Sequence, residues 1–149
     1  MASEMFRRGV HISDTVGSLK TLWGRAQSGY YSGLFDCTTQ AAYQVPGGKV
    51  FVITWVQMGY GTGPGNQHIS IGYGDGPLSL NASALGGVTY TQLLGDGSAI
   101  NQMSLAVSSP LTRDAREFDI FLQCPASSYP MYKNAPGVEY GIQVSGYEV

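Results

Sequence analysis

The sequence predicts an all-β protein, an antiparallel sandwich or barrel of short strands with an N-terminal extension. Three observations carry that prediction. From Tyr43 onward, apolar stretches of strand length recur between clusters of glycine, proline and aspartate, the punctuation of hairpin-connected strands. Glu117–Cys124 alternates cleanly, with Phe118, Ile120, Leu122 and Cys124 on one side and Glu117, Asp119 and Gln123 on the other, the period of a half-buried strand. Phe121 is the one apolar residue on its outer side. Finally, strands do not alternate with amphipathic helical stretches, as a parallel sheet with crossover helices requires.

Taken in chain order, residues 1–35 read as an arm and 36–149 as the β domain. The first 30 residues carry Arg7, Arg8, Lys20 and Arg25 against Glu4 and Asp14, whereas the remainder has four basic residues against eight acidic ones. A basic, aperiodic segment on an acidic domain reads as an arm that docks elsewhere, and otherwise as a poorly ordered terminus or a concealed strand. Asp14–Trp23 is the single helical candidate, because Val16, Leu19 and Trp23 share a face and Gly24 stands where a C-terminal cap would. Strands are then expected at Ala41–Val45, ended by Pro46-Gly47-Gly48, and at Lys49–Met58. Others follow at Gln67–Tyr73, Val88–Leu94, Asn101–Val107, Glu117–Cys124 and Val138–Tyr147.

The 149-residue chain fits one domain. Its net charge of −2 supplies no global drive toward nucleic acid or an anionic membrane, and neither partner is expected. Charged residues make up only 12%, about half the ~25% of an average chain. Such a surface lacks the repulsion that keeps monomers apart; it belongs to an assembling protein or to a turn-rich β protein with an uncharged surface. No signal-peptide pattern and no 18-residue apolar run occur, so synthesis in a cytoplasm is expected, with Cys37 and Cys124 as buried free thiols.

Catalytic chemistry finds little support, and neither catalytic residues, metal ligands nor cofactors are expected. Gly59, Gly61, Gly63 and Gly65 form no phosphate-loop pattern and suit a hairpin tip. His11 and His68 are the only histidines, in no metal-binding spacing. No serine lies in a G-x-S-x-G context. Asp75 and Asp96 each stand in a Gly-Asp-Gly turn, which suits a tight hairpin more simply than calcium binding or glycoside hydrolysis. Tyr60 and Tyr73 lie at or near loops and are candidate sugar-stacking aromatics.

Lys49–Met58 poses a sharper problem. Val50, Val52, Val56 and Met58 lie on one side of a regular strand and Phe51, Ile53 and Trp55 on the other, so both faces are apolar. Burying large side chains contributes about 1.5–3 kcal/mol each, too much to forgo in water. The second face, with Phe51, Ile53 and Trp55, is expected to be covered either by the N-terminal segment or by another subunit.

The stretch Tyr43-Gln44-Val45-Pro46-Gly47-Gly48-Lys49 before this apolar strand resembles a signature of small β-sandwich domains in tailed-phage virion proteins, notably capsid cement (decoration) proteins and fibre or spike domains. The closing GIQVSGYEV, residues 141–149, is similar to the last strand of such domains. Gly47 departs from the pattern, which commonly has alanine between proline and glycine. The resemblance implies an antiparallel β-sandwich, jelly-roll-like, with an N-terminal extension, forming a homotrimer on the outer surface of a phage capsid. The implied partner is the major capsid protein, the implied location the virion after synthesis in the host bacterial cytoplasm, and the role mechanical rather than enzymatic. On this reading Phe6, Arg7, Arg8, Leu19, Leu22, Trp23 and Arg25 form a capsid-docking arm. The alternative is a receptor- or carbohydrate-binding domain of a tail fibre, spike or lectin-like module, using Tyr60 and Tyr73.

Overall fold

The computed structural model describes residues 19–27, 29–60, 65–94, 103–107, 115–134 and 140–149. Apolar residues at every second position build ten strands: β1 (Leu19–Ala26), β2 (Tyr31–Gly33), β3 (Phe35–Asp36), β4 (Phe51–Tyr60), β5 (Gly65–Gly74), β6 (Tyr90–Leu94), β7 (Met103–Val107), β8 (Ala115–Cys124), β9 (Tyr129–Asn134) and β10 (Tyr140–Glu148). One antiparallel sheet has the order β3-β1-β10-β4-β8; the other has the order β2-β9-β5-β6, with β7 pairing the first half of β5. The two face each other as the predicted β-sandwich, and no helix occurs among the described residues. The pairing is nested: β1 with β10, β2 with β9, β4 with β8 and β5 with β6.

The helix expected over Asp14–Trp23 is replaced, from Leu19 onward, by β1. Residues 14–18 lie outside the described residues. All eight residues of β1 pair with β10, burying Leu22, Gly24 and Ala26 inward and leaving Trp23 and Arg25 outward. Gly24 is no cap: a Cβ there would lie 2.7 Å from Tyr132 Cε1 and 3.0 Å from Leu34 Cδ2. Ladder bonds and inward packing outweigh the weak helical spacing. The segment 19–35, read as part of an arm, is therefore built into the sandwich.

The two apolar faces of β4 are reconciled by a β-bulge. Opposite β10, Ser145 pairs with Trp55 and Gly146 with Ile53, so Thr54 is the extra residue. A bulge shifts the alternation by one position. Phe51 and Ile53 point inward before it, Val56 and Met58 after it, and all four are fully buried in one core. Phe51 and Ile53 are thus no oligomer surface; only Trp55 of that predicted trio faces outward, half-buried. Gly146 permits this close approach, since a Cβ there would collide with the Val52 carbonyl oxygen and sit 2.9 Å from Phe51 Cζ.

Part of the outer face of the second sheet, over Gly33, Gly74 and Met131, is covered by the segment 75–89. Tyr31 N donates to Ala82 O and Ala82 N to Tyr31 O, at 2.9 and 2.7 Å, closing the free edge of β2. Gly33 N donates to Ser79 O, and buried Leu78 lies so close that its carbonyl occupies the space a Cβ on Gly33 would need. Val88 reaches Met131 over Gly74, and Met131 is fully buried.

Buried polar groups pin the edges. Tyr43 OH donates to Glu148 Oε2 at 2.6 Å, and burial, reinforced by this carboxylate, raises the phenol well above its ordinary range. Cys124 is buried and its thiol is pushed up to about 12 by desolvation. Cys37, expected inside, is exposed, because it opens the turn that follows β3.

Burial pushes the Asp36 carboxyl up, but the Thr38 amide, donating to Oδ1 at 2.7 Å, and Lys20 Nζ, 3.4 Å from Oδ2, outweigh it and leave the group below its ordinary value of 3.8. A carboxyl depressed on folding contributes stability above its unfolded pKa and loses it as pH falls through the folded value. Asp36→Asn is therefore expected to lower Tm at neutral pH and to flatten the acid limb of a Tm-against-pH curve below about pH 4. An unchanged acid limb in thermal unfolding would contradict this.

Candidate functional site

The two outer faces differ in kind. The second sheet carries a partial cover of its own, over Gly33, Gly74 and Met131, whereas the first sheet presents side chains outward in rows set by register. One row runs Trp23, Gln143, Gln57; the next Thr21, Ser145, Trp55; the third Leu19, Tyr147, Val52, Gln123. Successive rows stand about 7 Å apart, two residues of strand rise.

Around the first row lies a shallow groove of about 440 Å³, lined by Trp23, Gly24, Arg25, Gln57, Gly141, Ile142 and Gln143. Phe35, paired with Trp23 across β1 and β3, props the indole, with ring centroids 6.0 Å apart and planes tilted by 50°. Arg25 is fixed at its backbone from two sides: its N–H donates to Ser32 Oγ at 3.2 Å, and its carbonyl accepts from Asn81 N at 2.8 Å. At the other end of the face the surface turns apolar, with Leu19 53%, Phe121 64% and Val149 53% exposed.

A second groove, of about 380 Å³, lies by the β5–β6 turn and is lined by Tyr73, Asp75, Thr89, Ser127 and Ser128 among others. Several of its polar groups are committed to turns: Asp75 Oδ1 accepts from Thr89 N at 2.8 Å, and Ser128 Oγ donates to Pro125 O at 2.6 Å. Asp75 thus ties together the two ends of the long segment 75–89 rather than standing in the tight hairpin expected for it, while Asp96 lies outside the described residues.

The proposed docking arm is dispersed. Leu22 is a core residue, while Leu19, Trp23 and Arg25 share the outer face of the first sheet. Phe6, Arg7 and Arg8 lie outside the described residues. Tyr60 ends β4 opposite Tyr140, and its side chain is not among those described. Tyr73 lies in the other sheet, so the two tyrosines form no common platform. The sequence reading missed Gln57, Gln143 and Gly141, which register alone brings beside Trp23. It noted Phe121 as an anomaly of β8, and that anomaly is the exposed tip of the apolar end.

Among the described residues no group of three or more His, Cys, Asp or Glu could hold a metal ion. No family model matches the chain, and no curated protein is significantly similar to it.

Proposed function

We propose that the protein is a structural virion protein, a homotrimeric sandwich of jelly-roll type that binds the outer surface of a phage capsid and reinforces capsomer junctions. The observation that carries this reading is the asymmetry of the two outer faces. The segment 75–89 covers part of the second sheet, over Gly33, Gly74 and Met131, whereas the first sheet leaves Leu19 and Phe121 exposed and Trp55 half-buried. Exposed apolar residues grouped on one face mark a contact surface. The nested strand pairing supports the jelly-roll topology, which two interleaved Greek keys produce. The sequence resemblance supports the capsid as partner.

The mechanism is mechanical. A trimer seated across a junction must be released before neighbouring capsomers separate, and three linked attachments release far more slowly than one. The basic segment containing Phe6, Arg7 and Arg8 supplies an attachment from each subunit. Removing residues 1–18 leaves all ten strands in place, whereas a cut at residue 30 would remove β1 and with it the edge of β10. The shortened protein is expected to remain a trimer in sedimentation velocity and to lose co-sedimentation with capsids. A full-length protein that sediments as a clean monomer at micromolar concentration would overturn the trimer, and undiminished capsid binding by the shortened chain would remove the arm's role.

A further inference from the structure

The groove beside Trp23 has a chemistry distinct from the apolar end of the same face. Its floor is strand backbone at Gly24 and Gly141, whose peptide groups belong to the ladders of β1, β10 and β4. That floor offers C–H surface and few hydrogen bonds. One wall is an indole held by Phe35. The other is formed by Gln57 and Gln143, direct partners on adjacent strands, whose side chains stand about 5 Å apart on one face. Each amide both donates and accepts. Arg25, the one charged residue among the described residues that line the groove, adds donors at the rim.

We infer that this groove binds a neutral oligosaccharide, with a pyranose ring stacked on Trp23 and its hydroxyls bonded by Gln57, Gln143 and Arg25. A pyranose matches the arrangement atom type for atom type. Its C–H face suits the indole and the glycine floor, and its hydroxyls, which donate and accept at once, suit paired amides better than cations. The volume lies within the ~300–1,000 Å³ of small-molecule sites. Every wall stands on a strand, so the site is organised before the ligand arrives. A nucleic acid would call for more positive charge than one arginine. Sugar binding and the proposed capsid contact use different residues: Phe121 and Leu19 lie at the other end of the face, and Trp55 stands one row from Gln57.

The test is isothermal titration of the full chain with cellohexaose, maltohexaose, chitohexaose and a tri-uronate. Saturable binding to at least one neutral sugar is expected at millimolar concentration. Gln57→Ala and Gln143→Ala, both at surface positions that leave the core intact, should each weaken it about tenfold, and Trp23→Ala should abolish it. Phe121→Asp should leave it unchanged. Absence of binding to all three neutral sugars, binding confined to the uronate, or full affinity in both glutamine variants would overturn the proposal. So would a glutamine variant that changes the sedimentation of the protein, because the groove would then be a contact between proteins.

Discussion

Deleting Thr54 and Trp55 together is expected to abolish folding, whereas deleting Thr54 alone is expected to leave a folded protein. The bulge makes Thr54 the surplus residue between two core-facing pairs, Phe51 with Ile53 and Val56 with Met58. Without Thr54 the strand alternates regularly, with Trp55 and Gln57 still outward. Without both residues the second half of β4 changes phase. Val56 and Met58 then turn to water, losing about 1.5–3 kcal/mol each, and the Gln57 amide enters the core unpartnered at about 1–3 kcal/mol more. Together with the disturbed packing, that approaches the ~5–15 kcal/mol stability of a typical domain. Far-ultraviolet circular dichroism and thermal unfolding distinguish the outcomes. A folded double deletion would show that β4 does not use the bulge as its phase switch.

The second large effect concerns assembly. On the proposed trimer, Phe121→Asp combined with Leu19→Asp is expected to weaken self-association by about tenfold or more, since truncating an interface residue that matters costs more than ~1 kcal/mol. Both side chains are more than half exposed, so Tm should stay close to that of the parent, surface changes being usually within ~0.5 kcal/mol. Sedimentation equilibrium together with thermal unfolding separates loss of contact from loss of fold. If the doubly charged protein associates like the parent, the apolar end of the first sheet is not the subunit contact.

How much of this was legible in the sequence depended on whether a feature was local. β8 announced itself through its alternation, and β5, β6 and β10 through apolar runs between turns, because period and turn chemistry act over a few residues. β1 was concealed: Leu22, Gly24 and Ala26 include one large side chain, and Gly24 is small because Tyr132, from a distant part of the chain, packs against it together with Leu34. The bulge at Thr54 was visible only as a contradiction, two apolar faces on one strand. Its resolution needed Gly146, ninety residues away, to admit the Val52 carbonyl. The segment 75–89 shows no regular apolar period in the sequence, and only its pairing with β2 shows that it closes a sheet edge. The groove followed the same logic: Trp23 stood out as an aromatic, but Gln57 and Gln143 meet it solely through the register of three strands.

The nested pairing has a consequence for biosynthesis. β10 lies between β1 and β4, so the first sheet has no continuous centre until β10 has left the ribosome. Until then β1 and β4 each expose an unpaired edge, and joining them demands contacts between distant parts of the chain, which form slowly. Where many copies are made at once, a waiting edge also meets the β10 of a neighbour, in competition with its own tethered strand. The topology thus leaves strand exchange between nascent chains as a route that competes with closure of the sheet.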